Sequence, residues 1–573
     1  MHKIILLAIT FFIIVPLYSQ PFYVDKSGSD FNNGSMTQPW KTIQKAFNSS
    51  IAGSTVYIKQ GTYFEKPILN VSGILGSYIT FKNYNADVVI IDGTGISGGS
   101  IINITDKNFV KLVGLNITNN IGNDAQGILV QGSCKNIEIR NNKISNIHFS
   151  SNPSDLATAS TNSQPLIVFG NGALDSLDNL IIDGNEIFNS RTGYSEGLAV
   201  NGNVTNFQIT NNIVYNISNI GIVMIGHEGV CSNTVLDQAR NGLCRGNTTY
   251  NCISPYAAAG GIYVDGGRNI LIDHNKSYGN QYGIEVGSEI LGYTASGIIV
   301  KDNLLYNNKV AGIAFGGYNY PATTGRVLNC QFLNNTTYNN DITNSGSGEV
   351  MISYAQNCIV KNNIFFASSQ NTFISYSASS NSTVGNQFNY NLYYSSSGPA
   401  TASFDWGTTS YTGFLTFKSS TNQEANALFS DPMLLNPVLS DFHISMGSPA
   451  INAGDPNFVA GPFETDMDGK PRIDNTRVDI GAYEYLTTTG TLNAFINTSD
   501  IIYPNPNKGE FIIKISQKGN YYIRIYNNTG IEIMSTSSTQ TETLIDIKNA
   551  QSGIYFIKID SDNLSISKKI IVE

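Results

Sequence analysis

From about residue 100 to residue 400 apolar and polar positions alternate in short runs, and the runs return on a regular beat. NIEIRNNKISNI, NLIIDGNEIFNS, NFQITNNIVYNI, NILIDHNKSYGN, GIIVKDNLLYNN and NCIVKNNIFFAS share one form, two β-branched alternations flanking a short polar step that ends in Asn. That Asn recurs at Asn142, Asn185, Asn212, Asn247, Asn275, Asn303, Asn335, Asn363 and Asn391, at spacings of 43, 27, 35, 28, 28, 32, 28 and 28 residues. A basal period near 28 with irregular additions means stacked turns decorated by loops. The alternation is the period-two signal of strands, and no segment keeps a 3.6-residue apolar period over three turns. The predicted fold is all-β: a right-handed parallel β-helix, with equivalent residues stacked about 4.8 Å apart. The recurring Asn is expected as a side-chain ladder at a turn, tolerant of left-handed backbone, on a solenoid carrying Asn, Ser and Thr outside.

Each unit also carries a Gly-led strand: GILVQG, PLIVFG, GLAVNG, GIVMIG, GIYVDG, GIEVGS, GIAFGG and GEVMIS. With the second and fourth positions inward, the third and fifth face outward. The outward set then includes Ala199 and Asn201, Tyr263 and Asp265, Glu285 and Gly287, and Val350 and Ile352. Asp265 and Glu285 fall one turn apart and two residues apart along the strand, a Cα separation of roughly 8 Å. Glu289 lies two residues the other way. Side chains can close such a gap to the roughly 5–9 Å of glycosidase carboxylate pairs, so Asp265, Glu285 and Glu289 are the candidate catalytic groups.

Only 13% of the 573 residues are charged, 33 Lys and Arg against 42 Asp and Glu, for a net charge of −9. Scarce charge excludes a helical protein held by surface ion pairs, and 41% hydrophobic residues exclude a disordered one. The acidic balance gives no reason to expect nucleic acid as a partner. Against this background, His227, Glu228, Arg240 and Arg268 collect at the same edge as the acids. Together with Asn201, Tyr263 and Tyr318 they are the candidate substrate-binding residues. Loops at 148–164, 228–242, 253–259, 288–296, 318–325 and 338–347 interrupt the period there and carry aromatic residues suited to sugar rings, Tyr256, Tyr293, Tyr318 and Tyr320 among them.

Residues 1–20 place Lys3 before an apolar run from Ile4 to Val15, too short to span a membrane, and are expected to be a signal peptide. Export permits disulfides: Cys330 and Cys358 share an inward position 28 residues apart and are expected as stacked thiols or one disulfide, while Cys231, Cys244 and Cys252 could pair near the acids. After a linker at 487–499, residues 500–573 alternate between Asn-Pro, Lys-Gly and Thr-Gly turns, as a small antiparallel β-sandwich does. In Tyr503-Pro504-Asn505-Pro506, Gly509, Gly530, Gly553-Ile554-Tyr555 and Lys568-Lys569 this segment resembles the C-terminal sorting domain of type IX secretion cargo. That resemblance implies the type IX machinery as a partner and a secreted or cell-surface location.

Residues 22–95, from FYVDKSGSD through GSTVYIKQGTYFEKPI to VIIDGTG, resemble the opening of secreted β-helix proteins of the pectate-lyase-like superfamily. The resemblance divides the chain into a cap with first turns at 21–100, the repeats at 101–425 and a closing segment at 426–486, whose D-x-D-G at Asp466 to Gly469 is expected to be a turn. It implies a polysaccharide substrate, while the superfamily's lyases, hydrolases, epimerases and adhesins leave the activity open. GIYVDG followed one turn later by GIEVGSE resembles the carboxylate-bearing turns of β-helix glycosidases. Lyase members need an Asp/Glu cluster for Ca²⁺ and a Lys or Arg base; here the strand face has no Asp cluster, and Arg268 and Lys301 are the available bases. The expectation is a monomeric secreted glycoside hydrolase with no metal and no cofactor. The alternatives are a lyase, for which Ca²⁺ enters, and a non-catalytic glycan-binding surface protein.

Overall fold

A computed structural model describes residues 21–96, 98–376, 384–461, 464–474, 476–486, 501–515, 520–527, 532–561 and 564–572. The expected signal peptide, the linker and Gly530 lie outside them. Among the described residues, three long sheets of 17, 13 and 12 strands run the length of a right-handed parallel solenoid of about 12 turns. Register is strict where the sequence repeats: Ile222, Ile262, Ile284 and Ile313 pair in one column. Ile262, Val264, Ile284 and Val286 point inward and are fully buried, as the alternation requires.

The Asn ladder stands inside the solenoid instead of on its surface. From Asn142 to Asn391 each amide donates to the Oδ1 of the next Asn at 2.9–3.0 Å, and that same Oδ1 accepts the backbone N–H of the donor residue. A buried amide must satisfy its polar atoms internally, and stacking identical residues does so turn after turn. The left-handed backbone belongs to the residue just before the ladder, with φ of 54° at Asn141, 55° at Asn211 and 57° at Asn362. The two roles expected of one Asn are divided between neighbours. The ladder ends on a carboxylate, where Asn391 donates to Glu424 at 2.6 Å.

A second buried ladder, Asn280–Asn308–Asn340, ends on Glu349 in the same way, at 2.6 Å. It explains the Gly-led strands: a Cβ at Gly261 would meet the Asn280 amide at 2.4 Å, and one at Gly283 the Asn308 amide at 2.9 Å. Because Glu349 turns inward to close this ladder, GEVMIS is displaced by one position. Met351 pairs with Ala314, and Val350 and Ile352, expected outward, are fully buried.

Helices lie at both ends of the stack. Ile43–Ser49, capped by Thr42, buries Phe47 against Phe81 at 4.5 Å, and Phe414–Thr421 stacks Phe417 on Phe404 at 4.6 Å. All six cysteines are buried free thiols, so none of the disulfides considered from the sequence forms. The three near the acids contact different partners: Cys231 the Gly172 carbonyl, Cys244 the Asn247 amide and Cys252 the Val214 carbonyl.

The chain divides into two units, one of residues 1–455 with 480–483, the other of residues 456–479 with 484–573. In the second, Asp466 accepts the N–H groups of Asp468 and Lys470 at 3.0 and 2.8 Å, a turn. The same unit carries two small antiparallel sheets, one of Ile501–Tyr503, Glu510–Lys514 and Glu542–Asp546, the other of Glu532–Ser538, Tyr521–Asn527, Gly553–Ser561 and Leu564–Val572. They enclose their own core of Phe511, Ile523, Ile545 and Ile557.

Candidate active site

The outward columns of the 12-stranded sheet are not open to solvent. Leu129, Ile167, Ala199, Val223, Ile225 and Tyr263 form a separate buried apolar strip, and several of them floor a cavity of about 670 Å³. Its walls come from residues before and after the strands: Tyr194 and Glu196, Glu228, Tyr256 to Ala258, Glu289 and Tyr318. Tyr194 and Tyr256 stack at 4.1 Å with their planes 6° apart, and Tyr194 remains 43% exposed, so an aromatic face is available at the wall.

Five carboxyl groups line this cavity. Asp265 ends the strand Gly260–Asp265 and is buried at the floor, and Glu285 lies mid-strand in Tyr282–Gly287, paired in register with Tyr263. Glu289 follows that strand with its side chain exposed. Its backbone N–H donates to Asp265 Oδ1 at 2.7 Å, and its Oε1 accepts from the Tyr263 hydroxyl at 3.2 Å. Burial first, then the nearby Glu289 charge, holds the Asp265 carboxyl well above the usual range, and burial does the same to Glu285. Glu289 is also raised by the protein around it, an effect the Tyr263 hydroxyl opposes. Glu196 is pushed up to about 8 by burial, with Glu289 and Glu228 adding repulsion, and Glu228 is raised by the same kinds of cause.

Of the residues singled out from the sequence, Asp265, Glu285, Glu289, Glu228, Asn201, Tyr263 and Tyr318 all line the cavity. Three others do not. His227 stacks on Tyr293 at 4.0 Å beside the cavity, with its Nδ1 buried and its proton affinity lowered by burial. Arg240 and Arg268 belong to strands of the neighbouring 17-stranded sheet, because the corner after each Gly-led strand carries the next residues onto another face. The Arg240 guanidinium pins a loop through the carbonyls of Leu236 and Gln238 and Oδ1 of Asn203; Arg268 is exposed. Lys301 is on that sheet too. Sequence reasoning missed Gln164, Glu196 and Tyr282, which share a row two residues before the first inward position of their strands. Among the described residues no three His, Cys, Asp or Glu side chains are grouped so that they could hold a metal ion.

Three family matches identify a pectate-lyase-like right-handed β-helix protein that carries a type IX secretion sorting domain, and the fold agrees with them. Residues 22–165 match a Pel9A-like right-handed β-helix region, residues 226–338 a right-handed β-helix region and residues 501–573 a secretion system C-terminal sorting domain. The chain belongs to the family of the uncharacterized protein YwoF of Bacillus subtilis (strain 168), with which it is 33% identical over 444 residues, 75% of this chain and 91% of that protein. It is also 35% identical over 78 residues to pectate lyase PEL9 of Emericella nidulans, 13% of this chain and 19% of that one. Among solved structures, pectate lyase Pel9A aligns over 81% of this chain and 96% of its own, with a TM-score of 0.40 and 15% identity. A GH136 lacto-N-biosidase from Eubacterium ramulus aligns over 65% and 63%, with a TM-score of 0.42 and 15% identity. The sorting domain marks the chain for secretion or cell-surface export and for contact with the secretion machinery.

Proposed function

We propose that the protein is an exported glycan-cleaving enzyme, a glycoside hydrolase whose acid is Asp265 and whose base or nucleophile is Glu289. The observation that carries this is the joined pair itself: a buried carboxyl on the floor, tethered by the backbone of a second carboxyl at the mouth. Two carboxyl groups in contrasting surroundings supply the acid and the base of glycosidic cleavage at one pH. Asp265, kept protonated by burial, can give its proton to the leaving oxygen. Glu289, reached by solvent and held by a phenolic donor, is the group that ionises, and it can attack the anomeric carbon or activate water. Glu285, also kept neutral by burial, can donate a hydrogen bond to a sugar oxygen beside the pair. Tyr194 and Tyr256 offer a ring face for stacking.

Incubation with a broad polysaccharide panel, reading new reducing ends, tests the proposal; hydrolysis of at least one polymer is expected, with the anomer of the first product reporting retention or inversion. A second reading, β-elimination, draws on the Pel9A-like match and the pectate lyase relative. That matched segment, 22–165, contributes only Gln164 to the cavity, and among the described residues no Lys or Arg lines it to neutralise a uronate. An ultraviolet-absorbing product, lost with chelator, would favour elimination over hydrolysis.

A further inference from the structure

Two amide oxygens in the cavity wall have no hydrogen-bond partner. Gln164 and Asn201 are 8% and 7% exposed, both line the cavity, and Oε1 of the first and Oδ1 of the second are buried and unbonded. The Gln164 orientation is fixed by its surroundings: its Nε2 donates to Ser195 Oγ at 2.9 Å, and that hydroxyl is itself engaged in donating to Asn162 Oδ1 at 3.0 Å. That leaves Oε1 as an unsatisfied acceptor on a residue of the cavity lining. Asn201 stands two turns from Asp265 in the same column, and Gln164 one turn from Glu196 in the row at the other side of the sheet. A buried acceptor left unbonded is costly, so a ligand that brings O–H donors to both positions is strongly favoured.

From these acceptors, and from a lining that holds five carboxyl groups and among the described residues no Lys or Arg, we infer that the cavity selects an uncharged, hydroxyl-bearing sugar and rejects uronic acids. A uronate carboxylate placed here would find, among the described residues, no cationic side chain to neutralise it, and would meet Glu228 and Glu289 at the mouth. Hydroxyls of a neutral sugar satisfy Gln164 and Asn201 while one ring face lies on the Tyr194–Tyr256 wall. The inference deepens the hydrolase proposal and rests on the same cavity being a glycan site.

The test is calorimetric binding of the full protein to neutral oligohexosides and to the uronate oligomers of the same sugars and length. At least one neutral oligomer is expected to bind 10-fold or more tightly than its uronate counterpart. Asn201→Leu and Gln164→Leu are each expected to weaken that binding about 10-fold, the loss of one hydrogen bond. Equal or tighter uronate binding, tighter binding of an amino-sugar oligomer, failure to bind any neutral oligomer, or neutral binding indifferent to both variants overturns the inference. The wild-type ratio needs no variant to fold. A neutral oligomer that binds and is recovered intact sinks the hydrolase proposal alone, and one that binds poorly beside a hydrolysed uronate sinks this inference alone.

Discussion

The backbone N–H of Glu289 is bonded to the carboxylate of Asp265 at 2.7 Å, so the two acids at the centre of the cavity share one fixed geometry although 24 residues separate them in the chain. Neither can be moved without the other. Asp265→Asn and Glu289→Gln preserve shape and hydrogen-bonding capacity while removing the titrating group. Each is expected to lower kcat by roughly 10³-fold, the scale of acid–base catalysis, with the thermal transition of the fold retained. Turnover on the polymer identified in the panel, measured beside circular dichroism, checks this; full activity in either variant would falsify its role.

Tyr263 donates to the Glu289 carboxylate at 3.2 Å and so favours its ionised form. If Glu289 must be ionised, activity falls on the acid side as it takes up a proton. Tyr263→Phe removes the opposing hydrogen bond, the proton affinity of Glu289 rises, and the acid limb of the pH–rate profile is expected to move to higher pH. The wild-type and variant profiles of kcat/KM read this directly, and an unmoved limb separates Tyr263 from the proton chemistry.

Glu196, with its carboxyl near 8, is expected to be protonated at pH 7 and to lose its proton over roughly one unit either side of that value. Infrared difference spectra should carry a protonated-carboxyl band that titrates there and is missing in Glu196→Gln. In Glu289→Gln, with one repelling charge gone, the same band is expected to titrate at lower pH. A band that does not respond would mean the two carboxyl groups do not sense one another.

The parts of this arrangement legible in the sequence are those that repeat. A 28-residue period dictates which residues share a column, and with it the burial of Ile262 and Val264 and the outward placement of Asp265 and Glu285. Glu196 does not follow from it: Gln164, Glu196 and Tyr282 have the parity of the inward positions, and they reach the cavity because the alternation breaks at the Gly position, which turns inward as Gly261 and Gly283 do. Features outside the period are not legible. Arg240 and Arg268 lie close to the acids in the chain, but a solenoid corner separates nearest neighbours in sequence onto different faces. The inward turn of Glu349 replaces an amide by a carboxylate only at the end of its ladder, so no repeat announces it.

Interior ladder positions are expected to be the most sensitive to substitution. Asn247→Ala removes the Oδ1 that accepts both the backbone N–H and the amide of Asn212, and the amide that reaches Asn275. Unsatisfied donors in a fully buried site cost about 1–3 kcal/mol each, so a loss of several kcal/mol is expected in denaturant unfolding. Substituting exposed Lys276, outside the ladder, should change stability by less than about 0.5 kcal/mol. Similar losses at both positions would show that the ladder does not stabilise the solenoid.

Glu349 and Glu424 terminate the two ladders fully buried, and burial pushes both carboxyl groups up to about 7. An unfolded chain ionises Glu near about 4.3, so between that value and about 7 the unfolded state releases protons that the folded state retains. Their contribution to stability is present in full below about pH 4.3 and is lost as pH rises through about 7, by an upper limit of about 4 kcal/mol for each group. Replacement by Gln keeps an acceptor for the last Asn and removes the proton. Glu349→Gln and Glu424→Gln are therefore expected to gain stability relative to wild type at pH 8 and to show little or no gain at pH 5. Chemical denaturation at the two pH values measures that difference, and a gap between variant and wild type that is the same at both would mean these carboxyl groups do not titrate in this range.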